Sequence, residues 1–87
     1  MSINEAVNIL RRGLNECSYE FGSSSYQDRC EGISVTSSGN TIYVVIKMYV
    51  TSSSYKSEVQ DNIRSIINSL RYQYEITYVI DCEIYYV

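Results

Sequence analysis

The sequence contains no histidine, no tryptophan and no proline among its 87 residues. The absence of histidine removes the side chain that most often serves as a general base or as a transition-metal ligand, so it disfavours many classes of enzyme at once. No run approaches the ~20 consecutive apolar residues of a membrane-spanning helix. The first residues also lack the basic segment and apolar core of a secretory signal. We therefore expect a cytoplasmic protein, of a cell or of an infected host cell.

Basic residues are few. Seven Lys and Arg residues against ten Asp and Glu residues give a net charge of −3, and the isoelectric point is 4.7. Non-specific binding to nucleic acid needs a positive field, so this balance disfavours a direct nucleic-acid partner. No polybasic segment predicts a membrane surface as partner either, and the four glycines match no phosphate-binding motif.

Cysteine is also scarce, and its spacing matches no metal site. Cys17, Cys30 and Cys82 form no Cys-x-x-Cys pair, and no histidine is present to join them. An odd number of cysteines in a chain expected to be cytoplasmic favours free thiols, although a Cys17–Cys30 disulfide stays open. The sequence therefore predicts no catalytic residue, no cofactor and no metal site.

Two segments have the apolar spacing of amphipathic helices. Ser2 and Glu5 have the spacing of a capping box, so the first helix should begin there and end near Tyr19 to Phe21, before Gly22. Its apolar stripe is Ile3, Ala6, Val7, Leu10, Leu14 and Cys17. Gly13 is expected to permit a close approach to the sheet. The stripe of the second helix is Tyr55, Val59, Ile63, Ile66, Ile67 and Leu70.

Three other segments have the composition of strands. The segment Thr41–Val50 alternates strictly and should be the central strand, although an order with the first strand at the centre stays open. A short strand, Ile33 to Thr36, should precede it through a turn at Ser37–Asn40, and Ile76–Val87 should form the last strand. The polar residues 22–31 predict a flexible loop that contains Cys30.

Together these elements predict one α+β domain, residues 1–87, with the order α-β-β-α-β. Because both helices need an apolar cover, the simplest arrangement is a two-layer α/β sandwich in which they share one face of a three-stranded sheet. The pattern GISV…TIYVVIKMYV…VQDNIRSII…ITYVIDCEI resembles, in element order, small assembly modules such as the alkaline-shock protein family, the BON domain and the ring-building motif of secretion systems. The resemblance implies an interaction role.

The strand residues that point away from the helices form the candidate site. They are Tyr43, Val45, Lys47, Tyr49, Val79, Asp81, Glu83 and Tyr85. Tyrosines and valines on one open face form a patch of roughly a few hundred Å², a size that often marks a contact site. We predict a non-enzymatic protein-interaction or assembly module that binds itself, for example as a homodimer, or a protein partner. Binding would use this Tyr-rich sheet face or an exposed strand edge. The alternative that the loop 22–31 covers the sheet face stays open.

A second hypothesis is a small acidic inhibitor of the kind that viruses and phages encode. It would bind and block a host nucleic-acid-handling enzyme by presenting carboxylates in place of phosphates. The candidate carboxylates are Glu20, Asp28, Glu31, Asp81 and Glu83. Stacking of bases on the tyrosines is disfavoured, because Lys47 is the one basic residue predicted on that face and two carboxylates there would repel phosphate.

Overall fold

The computed structural model describes residues 1–24 and 27–87, which form two α-helices and a three-stranded mixed sheet. This confirms the predicted α+β class and the number of helices and strands in the described residues. The elements are α1 Ile3–Glu16, β1 Arg29–Ser38, β2 Thr41–Tyr49, α2 Lys56–Gln73 and β3 Val79–Tyr86, with short 3₁₀ turns at Ser18–Glu20 and Ser53–Tyr55. The first helix, predicted to end near Tyr19 to Phe21, ends at Glu16 and is followed by one of these turns.

The strand β2 lies at the centre of the sheet, between β1 and β3. It pairs antiparallel with β1 and parallel with β3. Two consecutive antiparallel strands, such as β1 and β2, can be joined by a short turn. Two parallel strands need a longer crossover connection, and α2 supplies this connection between β2 and β3. The position of β2 is the one that its continuous apolar and aromatic sequence favours.

The turn between β1 and β2 is shorter than predicted. Ser38 pairs with Thr41 and Ser37 pairs with Ile42, so both serines belong to β1 and the turn contains only Gly39 and Asn40. Gly39 has φ +60, and a glycine with positive φ at the first position is typical of the type II′ turns that join hairpin strands.

The strand β1 begins at Arg29, not after Gly32, so the prediction of a loop over residues 22–31 was wrong for its last three residues. The pairing with β2 shifts between Cys30 and Gly32, which leaves Glu31 as an extra residue in a β-bulge. A bulge interrupts the alternation of side chains, and this segment therefore has no readable strand pattern. Residues 25 and 26 of the predicted loop lie outside the described residues.

Both helices contribute to one hydrophobic core together with the inward side chains of β2. The buried residues are Ala6, Val7, Leu10, Leu14, Phe21, Val35, Ile42, Val44, Ile46, Met48, Val59, Ile63, Ile67, Leu70 and Ile76. The predicted inward residues of β2 up to Met48 are thus buried, as is most of each helical stripe. The predicted members that are only half-buried are Ile3, Cys17, Val50, Tyr55 and Ile66. Phe21 lies after α1, where the sequence analysis expected the helix to end and assigned no core residue.

Gly13 permits a close approach of α1 to α2, and not to the sheet as predicted. A β-carbon at this position would lie 2.7 Å from Leu70 Cδ2 and 2.9 Å from Leu70 Cδ1. These distances are well inside van der Waals contact, so the absence of a side chain at Gly13 leaves room for Leu70. The glycine therefore offsets its cost to helix α1 by allowing the two helices to pack together.

The helix α2 ends with a Schellman motif that has glutamate in the left-handed position. The Ile76 N–H donates to the Arg71 carbonyl at 3.0 Å, and the Glu75 N–H donates to the Tyr72 carbonyl at 3.4 Å. Glu75 has φ 53, a conformation that glycine usually occupies. Ile76 is buried at the end of this motif, so the prediction of a strand starting there was wrong, and β3 starts at Val79.

Replacing Glu75 by glycine should stabilise the protein. The left-handed conformation costs a residue with a β-carbon about 1–2 kcal/mol, and part of the gain is offset by the greater entropy of glycine in the unfolded chain. We expect a net gain of about 0.5–1 kcal/mol, measured by urea denaturation. Glu75→Ala is the control, because it removes the carboxylate and keeps the β-carbon; equal gains in both variants would contradict the backbone explanation.

Candidate interaction surface

The register of the sheet places the eight predicted surface residues on one side of it, which we call the open face. The parallel pairing sets Tyr43 beside Asp81, Val45 beside Glu83 and Lys47 beside Tyr85, and the neighbours Tyr49 and Val79 follow by alternation. The other side of β2 carries four fully buried core residues, Ile42, Val44, Ile46 and Met48. The open face therefore points away from the hydrophobic core.

Several apolar side chains of the open face are accessible to solvent. The exposed fraction is 63% for Val79, 53% for Tyr85 and 39% for Tyr43. Val45 and Tyr49 are half-buried within the face. Valine and tyrosine side chains at this exposure alternate with Asp81, Glu83 and Lys47 across the two neighbouring strands, and together they are a surface that association could bury.

The strand β1 adds small polar residues to the open face, which the sequence analysis did not assign to it. Thr36 pairs with Tyr43, Ser34 with Val45 and Gly32 with Lys47. These short side chains leave the β2 residues more prominent on that side. The alternation of the predicted strand Ile33–Thr36 already indicated Ser34 and Thr36, whereas the bulge before Gly32 hid the register of that glycine.

Arg29 is a further residue of this surface that the sequence analysis missed. It pairs with Tyr49, and its Cζ lies 4.3 Å from the centroid of the Tyr49 ring. Its Nε also forms an ion pair with Glu31 Oε1 at 2.7 Å. The guanidinium therefore covers one tyrosine of the face, and its positive charge is paired with the Glu31 carboxylate.

The acidic residues of the open face lie along β3. Asp81 and Glu83 are both exposed, and the Tyr85 hydroxyl donates to Glu83 Oε2 at 2.8 Å. This hydrogen bond, together with the negative charge of Glu83, raises the pKa of Tyr85 because both favour the protonated phenol. The face thus carries carboxylates along β3, while its positive charges, Lys47 and Arg29, lie on the other two strands.

The candidate carboxylates of the inhibitor hypothesis are not all on this face. Asp28 accepts hydrogen bonds from Ser23 and from the Thr51 backbone N–H, the latter at 3.1 Å, and so joins two connecting segments. Glu31 pairs with Arg29 in the bulge, and Glu20 lies in the turn that follows α1. Of the set, Asp81 and Glu83 share the open face.

All three cysteines are free thiols. Cys30 lies in β1 and packs against the core, not in a loop as predicted, and Cys82 packs there from the inward side of β3. Burial raises the pKa of the Cys17, Cys30 and Cys82 thiols, so the reactive thiolate is disfavoured at each position.

A groove lies between α2 and the inward side of β3. It has a volume of roughly 260 Å³, and Ile67, Ile80 and Cys82 line it together with Arg64 and Arg71. The Arg71 guanidinium is held there, because its Nη2 donates to the Tyr78 carbonyl at 3.1 Å. None of the inward residues of β3 is fully buried, so α2 covers this edge of the sheet incompletely.

Some kinds of site are absent from the part of the chain that the structure describes. No group of three Cys, Asp or Glu residues there could hold a metal ion. Neither helix in residues 1–24 and 27–87 is long and apolar enough to cross a membrane. Comparisons with known protein families, with curated proteins and with solved structures find no match to this chain, so the resemblance to small assembly modules is one of element order alone.

Proposed function

We propose that this protein is a non-enzymatic interaction or assembly module that binds itself or a protein partner through its open face or an exposed strand edge. The observation that carries the proposal is the exposure of Tyr43, Val79 and Tyr85 on a single sheet face. Tyrosine buries a large apolar ring at low entropic cost and offers a hydroxyl for hydrogen bonding, so it is enriched at interface hot spots.

The proposal requires that both helices lie on the other side of the sheet, as in a two-layer α/β sandwich. The single core that α1 and α2 share with the inward residues of β2 supports this arrangement. Because the domain is small, its own core supplies little stability beyond the cost of ordering the chain, and burial of the open face against another chain would add to it.

The chemistry of the remaining residues supports a non-enzymatic role and a cytoplasmic location. Histidine is absent, and the three thiols are held in their less reactive protonated form by burial. Free cysteines that stay unpaired fit a reducing compartment. Asp81 and Glu83 are both exposed, whereas acid and base roles need environments that differ strongly.

A pair of double variants tests the proposal. Tyr43→Ser with Tyr85→Ser removes two rings from the open face, and Tyr19→Ser with Tyr72→Ser removes two rings that are 83% and 88% exposed elsewhere. Light scattering over a wide range of concentrations measures self-association. Affinity capture, followed by binding measurements with the captured protein, tests for a partner and measures its affinity. We expect the open-face variant to weaken the association about tenfold or more, with no effect in the control variant.

Two outcomes would contradict the proposal. One is a protein that stays monomeric at every concentration and retains no partner. The other is an association that both double variants weaken equally, because the effect would then come from tyrosine content and not from the open face. Circular dichroism and urea denaturation of each variant check that its fold is intact.

The inhibitor of a nucleic-acid-handling enzyme is a second candidate, favoured by the two exposed carboxylates of β3. Such a complex would pair Asp81 and Glu83 with a basic surface, so its affinity should fall steeply as salt is raised. An assembly through tyrosine and valine contacts should respond weakly to salt. A weak salt dependence of the captured complex would therefore exclude the inhibitor, whereas a steep one supports the inhibitor only if the captured partner is a nucleic-acid-handling enzyme.

A further inference from the structure

We propose that the outer edge of β3 binds an extended segment of a partner protein in which basic and apolar residues alternate. This inference deepens the proposed function and rests on it, because it names the chemistry of the partner at one strand edge. The proposal rests on the different side-chain chemistry of the two sides of β3. Its outward side has exposed carboxylates, and its inward side has half-buried apolar residues with arginines nearby.

The backbone of β3 has a free edge in the described residues. The strand pairs with β2 on one side, and the Val87 N–H continues this ladder by donating to the Met48 carbonyl at 2.9 Å. No described strand pairs with its other side. An extended peptide could therefore add a fourth strand there through main-chain hydrogen bonds, which provide affinity without selecting sequence.

The outward side of β3 selects positive charge. Asp81 and Glu83 are exposed, and within residues 1–24 and 27–87 neither carboxylate forms an ion pair. Residues directly opposite one another on neighbouring strands interact through their side chains, and opposite charges stabilise such pairs. Lysine or arginine at every second position of the added strand would lie beside these carboxylates.

The inward side of β3 selects apolar residues. Ile80, Cys82 and Ile84 are half-buried and pack on the core without closing it. The groove beside Ile80 and Cys82 has room for an aliphatic side chain, and Arg64 and Arg71 at its walls would repel a basic one. The two sides of β3 thus favour different residue types, and the alternation of a strand supplies both.

A second copy of this chain is a poor occupant of the edge. In a symmetric dimer, the β3 strands of two copies would pair antiparallel about a two-fold axis. The largest number of residues is paired when this axis passes through Cys82 or through Glu83. The first register places Asp81 opposite Glu83 on both sides of the axis, and the second places Glu83 opposite itself. Like charges directly opposite one another destabilise a strand pair, so the same carboxylates that attract a basic partner oppose self-pairing here.

A designed peptide tests the proposal directly. The probe is a fluorescent heptapeptide of alternating Lys and apolar residues, Lys-Val-Lys-Leu-Lys-Val-Lys, with blocked ends. The matched control peptide has the same composition with its apolar residues grouped at the centre. Fluorescence anisotropy should give an affinity about tenfold or more higher for the alternating peptide, and the affinity should fall as salt is raised.

Charge reversal locates the site. Asp81→Lys with Glu83→Lys should weaken binding of the probe about tenfold or more and should create binding of the corresponding Glu peptide. Glu16→Lys with Glu20→Lys changes the net charge equally, away from the sheet, and should bind the probe almost as well as the wild type. Equal binding of both Lys peptides, or of both charge-reversed variants, would overturn the proposal.

The same variants separate this inference from the proposed function. If Tyr43→Ser with Tyr85→Ser abolishes binding of a captured protein partner while Asp81→Lys with Glu83→Lys leaves both that binding and binding of the probe intact, the edge inference fails and the interaction role stands. If neither double variant affects binding of the partner or of the probe, both fail. Nuclear magnetic resonance spectra of the wild type with the probe should shift the amide signals of β3 and not those of β1; shifts confined to β1 would overturn the inference.

Discussion

Replacement of Phe21 by alanine should destabilise the protein by about 3–5 kcal/mol, the range found for removal of a fully buried aromatic ring. Phe21 is completely buried in the core, although it lies in the irregular segment after α1. Removing its ring leaves a cavity that the neighbouring helices cannot fill without moving. Because small domains are stable by only about 5–15 kcal/mol, this change removes much of the stability.

Urea denaturation followed by circular dichroism measures the effect of Phe21→Ala. Tyr19→Ala is the matched control, because it removes a ring two residues away that is 83% exposed, and it should change the free energy of unfolding by less than about 0.5 kcal/mol. If the two variants are equally stable, the segment after α1 does not pack on the core as described.

Replacement of Asp28 by alanine should cost about 2 kcal/mol at neutral pH, because it removes a charged acceptor that several hydrogen bonds share. The Asp28 carboxylate accepts from the backbone N–H and the hydroxyl of both Ser23 and Thr51. It therefore ties the segment before β1 to the segment after β2. Asp61→Ala is the control, since Asp61 is an exposed carboxylate on α2.

The same pair of variants should show a distinctive dependence on pH. Burial raises the pKa of Asp28, but the hydrogen bonds from Ser23 and Thr51 lower it by more, so the pKa lies below its ordinary value. Because the pKa of Asp28 is lower in the folded protein, its contribution to the free energy of unfolding is fully present above about pH 4. This contribution is lost as the pH falls through the pKa that Asp28 has in the folded state. The destabilisation by Asp28→Ala should therefore shrink in acid; a difference that stays constant with pH would contradict this role.

The regular parts of the fold could be predicted because their side-chain pattern is uninterrupted. The alternation in β2 predicts both its inward, buried side and its outward side, and Ser2 is the N-cap of α1 as predicted, with the Glu5 N–H donating to the Ser2 hydroxyl oxygen at 3.1 Å. The predicted open face followed from β2 and β3 alone, because two adjacent strands in regular register keep their alternation aligned.

The features that could not be predicted lie in segments whose apolar residues follow no regular spacing. The bulge at Glu31 shifts the alternation of β1, so Arg29 and its stacking on Tyr49 were invisible in the sequence. Phe21 is buried by the way that the chain leaves α1, which depends on tertiary packing and not on local spacing. The groove beside β3 likewise depends on where α2 lies over the sheet.

Hydroxyl-radical footprinting of the tyrosines tests most directly whether the open face is an interface. The chain carries its own controls, because Tyr43 and Tyr85 lie on the open face whereas Tyr19 and Tyr72 are exposed elsewhere. On self-association or partner binding, the oxidation of Tyr43 and Tyr85 should fall while that of Tyr19 and Tyr72 stays the same. Protection of Tyr19 and Tyr72, with unchanged oxidation of Tyr43 and Tyr85, would contradict the account.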